Sequence, residues 1–372
     1  MLDVTSTFLT PLNGWRRSLL FSQQYNVTEI LENFYFLINF TEASSSYPIL
    51  SRFCSTTFLV ERKIEDWPLS TRSKSLRPMI SSPKRTSDWQ EFWAGASSWY
   101  VVHSFVYWLS SKYQAFFLVE DDIMDGATTR RGQPCWYRQN NIGLSAINDG
   151  LLLEQSIFQL LRTHFKDKAC YLNLVEVFHE NILKTTMGQT LDLISTHFGQ
   201  KPKLELFTMD QYNAIVKYKT AYYSFVMPVS LAMYFAGITD PEMHRQAKTI
   251  LLEMGHFFQV QDDFLDCYGD PEVTGKIGTD IQDGKCSWLA VVALQRATPA
   301  QKKILEECYG SSDPAKVDRV KQLYNSLGLQ TTYSVYEEES YNLMNTHIQQ
   351  ISRGLPHDLF FKFLEKIYRR DS

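Results

Sequence analysis

The sequence predicts an all-α protein, a bundle of many long helices, and three observations support this fold class. Apolar residues recur at helical spacing through most of the chain after residue 85. No segment of that part alternates apolar and polar residues over the length of a β-strand. Pro and Gly are sparse there, and their clusters lie between the periodic segments, where they are expected to end helices.

Helical periodicity divides the second part of the chain into segments and breaks. The periodic segments are Trp89–Val119, Gly150–Phe165, Tyr171–Ser195, Met209–Ala236, Glu242–Gly269 and Cys286–Tyr309. The predicted breaks are Gly126–Pro134, Gly199–Leu206, Gly237–Pro241, Gly269–Gly284 and Gly310–Pro314. Residues 1–85 differ, because they are rich in Ser and Thr and punctuated by proline. We therefore expect a divergent N-terminal segment, 1–85, and a helical domain, 86–372.

Composition and charge exclude several classes of function. The 372 residues are 44% hydrophobic and 14% aromatic, which is enough to bury a sizeable core. The formal net charge of −4 gives no basic footprint for nucleic acid, so no nucleic-acid partner is expected. The longest apolar stretch, Trp99–Val119, is interrupted by His103, Lys112 and Gln114. That stretch fits a buried helix better than a transmembrane segment.

Cysteine spacing bears on the compartment. The six cysteines lie far apart and form no C-x-x-C pair or dense framework. A reducing compartment is therefore expected, and the cytoplasm is our prediction. A mitochondrial location is the alternative, although Met1–Gln24 makes a weak presequence.

Two D-D-x-x-D clusters stand at the ends of apolar helical segments. The first aspartate cluster comprises Asp121, Asp122 and Asp125; the second comprises Asp262, Asp263 and Asp266. Spacing of four residues places the outer carboxylates of each cluster on one helical face, where like charges repel. Mg²⁺ relieves this repulsion, since it prefers oxygen ligands and is often held by carboxylates together with substrate phosphates. The clusters thus predict a magnesium site that clamps a diphosphate.

Long ordered motifs surround both clusters. Around the first cluster the sequence reads FFLVEDDIMD, followed by TRRGQPCWY from Thr129. Around the second it reads GHFFQVQDDFLDCYGDPEVTGKIGTDIQDGKCSW from Gly255 to Trp288. Two further motifs are KYKTAYYS from Lys217 and GQTLD from Gly188. Over roughly residues 110–370 the chain resembles the farnesyl diphosphate synthases, within the trans-isoprenyl diphosphate synthase family.

The resemblance implies a fold, an activity and partners. The fold would be a bundle of about ten long helices around a central cavity. The protein would be a transferase that condenses isopentenyl diphosphate with dimethylallyl and geranyl diphosphate to give farnesyl diphosphate. About three Mg²⁺ ions per site and a homodimer are also implied.

Residue roles follow from the same resemblance. All six aspartates of the two clusters would hold the ions. The allylic diphosphate would contact Arg130, Lys219, Lys276 and Lys285. Isopentenyl diphosphate would contact Gln114 and Arg131, with the basic C-terminus at Arg369 and Arg370 closing over it. The carbocation would be stabilised by Thr220, the carbonyl of Lys219 and Gln259, while Phe116 and Phe117 would limit the product to fifteen carbons.

The sequence departs from the family pattern at three places. The Gly-Gly-Lys-x-x-Arg-Gly stretch that supplies two cations for isopentenyl diphosphate is replaced by a segment that keeps only Lys74 and Arg77 at the same spacing. Glu120 stands where a small residue is usual, and Gly284 where Asn is usual. Two alternatives therefore stay open: a terpene synthase that ionises a prenyl diphosphate without condensing it, and a non-catalytic partner subunit.

Overall fold

The computed structural model describes residues 98–130, 133–139, 141–196, 201–235, 237–274, 278–352, 355 and 357–368. Several predictions lie outside these residues. They are the domain boundary at 85/86 and the roles of Lys74, Arg77, Arg131, Lys276, Arg369 and Arg370.

The described part of the chain is almost entirely helical, which confirms the all-α prediction. The first helices are α1 (Ser98–Met124), α2 (Ala146–Phe165), α3 (Tyr171–Thr196), α4 (Met209–Ile215), a π-helix (Val216–Val226) and α5 (Met227–Phe235). They are followed by α6 (Pro241–Tyr268), α7 (Pro271–Thr274), α8 (Asp280–Asp283), α9 (Trp288–Arg296) and α10 (Pro299–Cys308). The last are α11 (Pro314–Ser326), α12 (Leu329–Gln349) and α13 (His357–Ile367). A small antiparallel pair, β1 (Thr129–Arg130) and β2 (Gln133–Pro134), lies in the first predicted break.

The chain divides into two compact units. Of the described residues, the first unit contains 98–121 and 136–159, and the second contains those in the ranges 122–135 and 160–368. In the first unit, α1 buries Leu109, Tyr113, Phe116 and Val119. These four residues follow each other at intervals of three or four, so they form one apolar face of the helix.

The core of the second unit surrounds α9. Every residue from Trp288 to Ala293 is buried, and α9 packs against α4, α6 and α12. A helix that is apolar on all sides must be enclosed by other elements. The neighbours that bury it include Tyr212, Val260 and Tyr333. These contacts fix the chain just before α9, where Lys285 lies.

Two predicted helices are not single α-helices. Cys286–Tyr309 is broken into α9 and α10, because Thr298 and Gln301 form a capping box and Pro299 occupies the first helical turn. The sequence carries this start signal, and the prediction of one helix was wrong. Met209–Ala236 contains the π-helix, which apolar periodicity does not reveal.

No helix within the described ranges is long and apolar enough to cross a membrane. In α1, the apolar sequence is interrupted by Lys112 and Gln114, and the Lys112 side chain is buried within the protein.

Candidate active site

The first aspartate cluster ends α1, and its middle residue is bound by the β-hairpin that follows. Nε and Nη2 of Arg130 on β1 both lie 2.7 Å from Oδ1 of Asp122. The Asp122 side chain is fully buried, and its Oδ2 has no hydrogen-bond partner among the described residues. The pair therefore holds a guanidinium beside the cluster, next to a buried oxygen that lacks a donor.

A chain of two lysines and two aspartates joins four segments of the second unit. Nζ of Lys285 lies 2.7 Å from Oδ2 of Asp125 and 3.2 Å from Oδ2 of Asp192. Nζ of Lys219 lies 2.6 Å from the same Asp192 oxygen. We call these four residues the lysine–aspartate network. It brings together the end of α1, the buried face of α3, the π-helix and the segment before α9.

Asp192 is the centre of this network. Burial alone would raise its pKa, but the charges of Lys219 and then Lys285, with their hydrogen bonds, outweigh burial and hold the pKa well below its usual range. Thr196 donates a further hydrogen bond to the other oxygen. Asp192 therefore remains ionised and orients both lysines.

We expect Asp192→Asn to lower the free energy of unfolding by about 3 kcal/mol, because two partly buried ammonium groups lose their shared counter-charge. A depressed pKa contributes stability above the pKa of the unfolded chain, about 4, and that contribution is lost as the pH falls below it. The difference in unfolding free energy between wild type and variant should thus have its full size at pH 6 and become smaller below about pH 4. Urea unfolding across this range measures it. Asp318→Asn, at an exposed position on α11, is the control; a gap independent of pH would contradict the prediction.

Two glycines let the π-helix approach its neighbours closely. A Cβ at Gly188 on α3 would overlap the backbone nitrogen of Lys219 and lie 2.5 Å from the carbonyl carbon of Tyr218. A Cβ at Gly255 on α6 would lie 2.5 Å from Cβ of Ala221. Real Cβ atoms do not come this close, so both positions require glycine. The backbone of Lys219 and Thr220 is consequently held between α3 and α6.

The three residues of the second cluster have different surroundings. Asp262 is half-buried, whereas Asp263 is buried and 6% exposed. Asp263 accepts hydrogen bonds from Nε2 of Gln259 at 2.9 Å and from the backbone N–H of Trp288 at 2.8 Å. Burial raises the pKa of Asp263 to about 7 in spite of these bonds. Asp266 accepts from the backbone N–H groups of Thr279 and Asp280.

The segment that carries Lys285 is held on both sides. The hydroxyl of Tyr309 donates to the carbonyl of Lys285 at 2.7 Å, and the backbone N–H of Lys285 donates to Asp280. Ser287 caps α9 by accepting from Ala290. The lysine is therefore presented from a rigid turn, although it lies between helices.

The first unit carries the other described candidates, all on α1. Phe116 is buried and Phe117 is half-buried, with ring centroids 4.4 Å apart. Gln114 and Asp121 are half-buried. Phe117 and Phe116 precede Asp121 by four and five residues, which is about one helical turn.

The residues fit a magnesium ion by the chemistry of their donors. The clusters offer carboxylate oxygens, and Asp122 contributes a buried oxygen without a partner. Within the described ranges no three His, Cys, Asp or Glu side chains form a metal cage by themselves. Several of the carboxylates form ion pairs with lysine or arginine. Few carboxylates are needed for Mg²⁺, because one or two of them commonly bind the ion together with water and substrate phosphate.

Comparison with known proteins supplies the family. A sequence model described as polyprenyl synthetase matches residues 69–327. Farnesyl pyrophosphate synthases of Nezara viridula and Rattus norvegicus are each 55% identical over 263 residues, 71% of this chain. The match covers 64% of the Nezara viridula protein and 74% of the rat protein. The chain belongs to the polyprenyl synthetase family.

Solved structures of the family agree with this assignment. A farnesyl diphosphate synthase of T. brucei in complex with risedronate is 31% identical, with a TM-score of 0.67, over 95% of this chain and 99% of that one. The same enzyme with homorisedronate is 36% identical, with a TM-score of 0.66, over 72% and 79%. The match spans somewhat less than two thirds of the length of the Nezara viridula synthase.

The family match begins earlier than the sequence motifs suggested. It starts at residue 69, so Lys74 and Arg77 lie inside the matched range. The motifs placed the resemblance over roughly residues 110–370, and the family model covers residues 69–327.

The structure accounts for two departures from the polyprenyl synthetase pattern. Gly284 follows α8 with φ +68°, in the left-handed region that both glycine and asparagine tolerate. Oε1 of Glu120 occupies the space that a Cβ at Gly150 would fill. That oxygen is buried without a hydrogen-bond partner among the described residues, and burial raises the Glu120 pKa.

The sequence assigns Asp192 no role of its own, although the GQTLD motif ends at this residue. It lies on a buried face of α3 lined by polar side chains, namely Asn181, Thr185, Gln189, Asp192, Ser195 and Thr196. Polar residues at intervals of three or four along an otherwise apolar helix were the available signal.

A separate surface pocket of about 730 Å³, lined by Lys201, Phe207 and Tyr309 among others, contains no aspartate of either cluster.

Proposed function

We propose that the protein is a magnesium-dependent prenyltransferase that condenses isopentenyl diphosphate with dimethylallyl and then geranyl diphosphate to form farnesyl diphosphate. The observation that carries this proposal is the lysine–aspartate network beside Arg130 and Asp122. With the Arg130–Asp122 pair, the network gathers three cations and three carboxylates within one compact unit. The names of the relatives support the same activity.

Arg130 and the two lysines of the network bind the allylic diphosphate. Without substrate, Arg130, Lys219 and Lys285 are neutralised by aspartates. A diphosphate offers the same charge-assisted bonds, so each cation exchanges a carboxylate for a phosphate oxygen. The exchange frees the Asp125 carboxylate at the same time. Lys276 is expected to join these contacts.

Asp121, Asp125 and Asp262 are the proposed metal ligands, with Asp122, Asp263 and Asp266 as supporting residues. The support follows from their partners, because Asp122 holds Arg130 and Asp263 and Asp266 hold backbone N–H groups. Bound Mg²⁺ would neutralise the charge that develops on the leaving diphosphate. The protein contributes fixed cations for the same purpose.

The carbocation is stabilised by oxygen atoms that are poor bases. These are the hydroxyl of Thr220, the carbonyl of Lys219 and the amide oxygen of Gln259. The two glycines of α3 and α6 fix the first two by holding the π-helix. The proton lost after condensation passes to the released diphosphate. Arg369 and Arg370 are proposed to exclude water, which would quench the cation to an alcohol.

Product length and the second substrate rest on α1 and on residues outside the described ranges. Phe116 and Phe117 are proposed to end the pocket at fifteen carbons. Gln114, Arg131, Lys74 and Arg77 are proposed to bind isopentenyl diphosphate. If those contacts have been lost, the terpene synthase alternative follows, because ionisation needs only the allylic half of the site.

The deciding experiment incubates the purified protein with Mg²⁺, geranyl diphosphate and labelled isopentenyl diphosphate, and identifies the products by chromatography. Labelled farnesyl diphosphate is expected. An unlabelled terpene or diphosphate released without isopentenyl diphosphate would instead support the terpene synthase. No diphosphate release with any substrate would support the non-catalytic subunit and reject the proposal.

A homodimer is proposed from an exposed apolar stripe on α3. Leu183, Met187 and Ile194 are 62%, 50% and 48% exposed. Spacings of four and seven residues place them on one helical face, which a second copy of the chain would cover. Light scattering should give the mass of two chains, and Met187→Asp should shift it towards one. A monomeric wild type would contradict the proposal.

The cytoplasm remains the proposed compartment. All five cysteines in the described ranges are free thiols, which suits a reducing environment.

A further inference from the structure

We propose that Asp263 is a positioning residue that fixes the orientation of the Gln259 amide, so that the amide oxygen faces the reacting carbon of the allylic substrate. This inference rests on the proposed function and assigns Asp263 a part that is not metal binding. It starts from the two hydrogen bonds that the buried carboxylate of Asp263 accepts, one from the Gln259 side chain and one from the Trp288 backbone.

The carboxylate determines which end of the amide it meets. A carboxylate only accepts hydrogen bonds, so Gln259 must turn its NH₂ group towards Asp263. The oxygen of the same amide then points the other way. In the described part of the chain, no donor bonds to that oxygen, and the Gln259 side chain is half-buried rather than enclosed. Nε2 of Gln259 accordingly lies 2.9 Å from Oδ1 of Asp263, the arrangement that an ionised carboxylate requires.

The anchor for this orientation is rigid. The second oxygen of Asp263 binds the N–H of Trp288, the first residue of α9, and every residue of that helix from Trp288 to Ala293 is buried. Gln259 and Asp263 are four residues apart on α6, which makes them neighbours on one helical face. The amide is therefore held from both its own helix and the core, and it presents an acceptor without reorganisation during the reaction.

Asp263→Asn reverses the amide without changing the shape of the site. The oxygen of the new side chain is needed by the N–H of Trp288, so its NH₂ group faces Gln259. Gln259 must then offer its oxygen to that NH₂ group and turn its own NH₂ group towards the cation. The added Gln259→Glu change restores an oxygen on that side. One carboxylate oxygen accepts from the amide introduced by Asp263→Asn, and the other faces the substrate.

The kinetic test compares wild type, Asp263→Asn and the double variant Asp263→Asn/Gln259→Glu at pH 8. We expect Asp263→Asn to lower kcat about 100-fold, as when one electrostatic group is removed from an active site. KM, the Mg²⁺ concentration for half-maximal rate and the melting temperature should stay near wild-type values. The double variant should recover at least part of kcat.

Two other results would overturn the inference. A raised Mg²⁺ requirement in Asp263→Asn, as expected for the control Asp262→Asn, would make Asp263 a metal ligand. A fall in melting temperature with no recovery of kcat in the double variant would make Asp263 merely structural.

A binding measurement tests the inference without turnover. Calorimetry compares a prenyl diphosphate analogue that carries an ammonium nitrogen at the cationic carbon with a neutral prenyl thiolodiphosphate. Wild type should prefer the ammonium analogue, and Asp263→Asn should reduce the preference at least tenfold. An unchanged preference overturns the inference even if farnesyl diphosphate is formed. A wild type that shows the preference but forms no condensation product rejects the proposed function alone.

Discussion

We expect Asp262→Ala to lower kcat for farnesyl diphosphate formation by about 1,000-fold and to raise the Mg²⁺ concentration needed for half-maximal rate. A fall in kcat of this size is typical when a key electrostatic group is removed from an active site. Asp262 is half-buried, and backbone N–H groups of neighbouring segments are bound by Asp263 and Asp266. Substitution of Asp262 leaves those backbone bonds in place, so we expect the loss to affect the ion more than the fold.

The measurement is a titration of rate against Mg²⁺ with a thermal melt of each protein. Asp318→Ala removes a carboxylate from an exposed position of α11 and should leave rate and metal requirement unchanged. Asp121→Ala should behave as Asp262→Ala does. A loss of only a few fold in both cluster variants would rule out the aspartates as metal ligands.

We expect Gly188→Ala to lower kcat at least 100-fold, since displacement by about 1 Å at a catalytic group has effects of this size. The new methyl group would overlap the backbone nitrogen of Lys219. The π-helix must then move, together with the carbonyl of Lys219 and the hydroxyl of Thr220. The free energy of unfolding should fall by about 2 kcal/mol, as in other overpacked interiors.

Thr186→Ala is the matched control, because Thr186 is exposed on the same helix two residues away. It should change neither kcat nor the urea midpoint. Substrate affinity adds a second test: the lysines move with the π-helix, so KM for geranyl diphosphate should rise in Gly188→Ala. Normal kcat in a folded Gly188→Ala protein would show that the close approach has no catalytic importance.

Helix existence was predictable, while helix type and some ends were not. The segment Tyr171–Ser195 became α3 with an error of one residue, because its apolar residues recur at helical spacing. The segment Met209–Ala236 has the same period, yet its middle is a π-helix. Periodicity is insensitive to that difference, since the wider turn depends on which neighbours press against it.

The aspartate clusters, the basic residues around them and the helical fold class were determined by the sequence alone, because residue type and local spacing encode them. The tertiary structure decided how similar residues differ. Asp262 is half-buried, whereas the adjacent Asp263 is enclosed by α9 and bound to Trp288. Asp192 is part of the site because it binds Lys219 and Lys285, which are 27 and 93 residues away in sequence. Such partners are brought together only by packing, since burial and long-range charge depend on the whole fold rather than on local sequence.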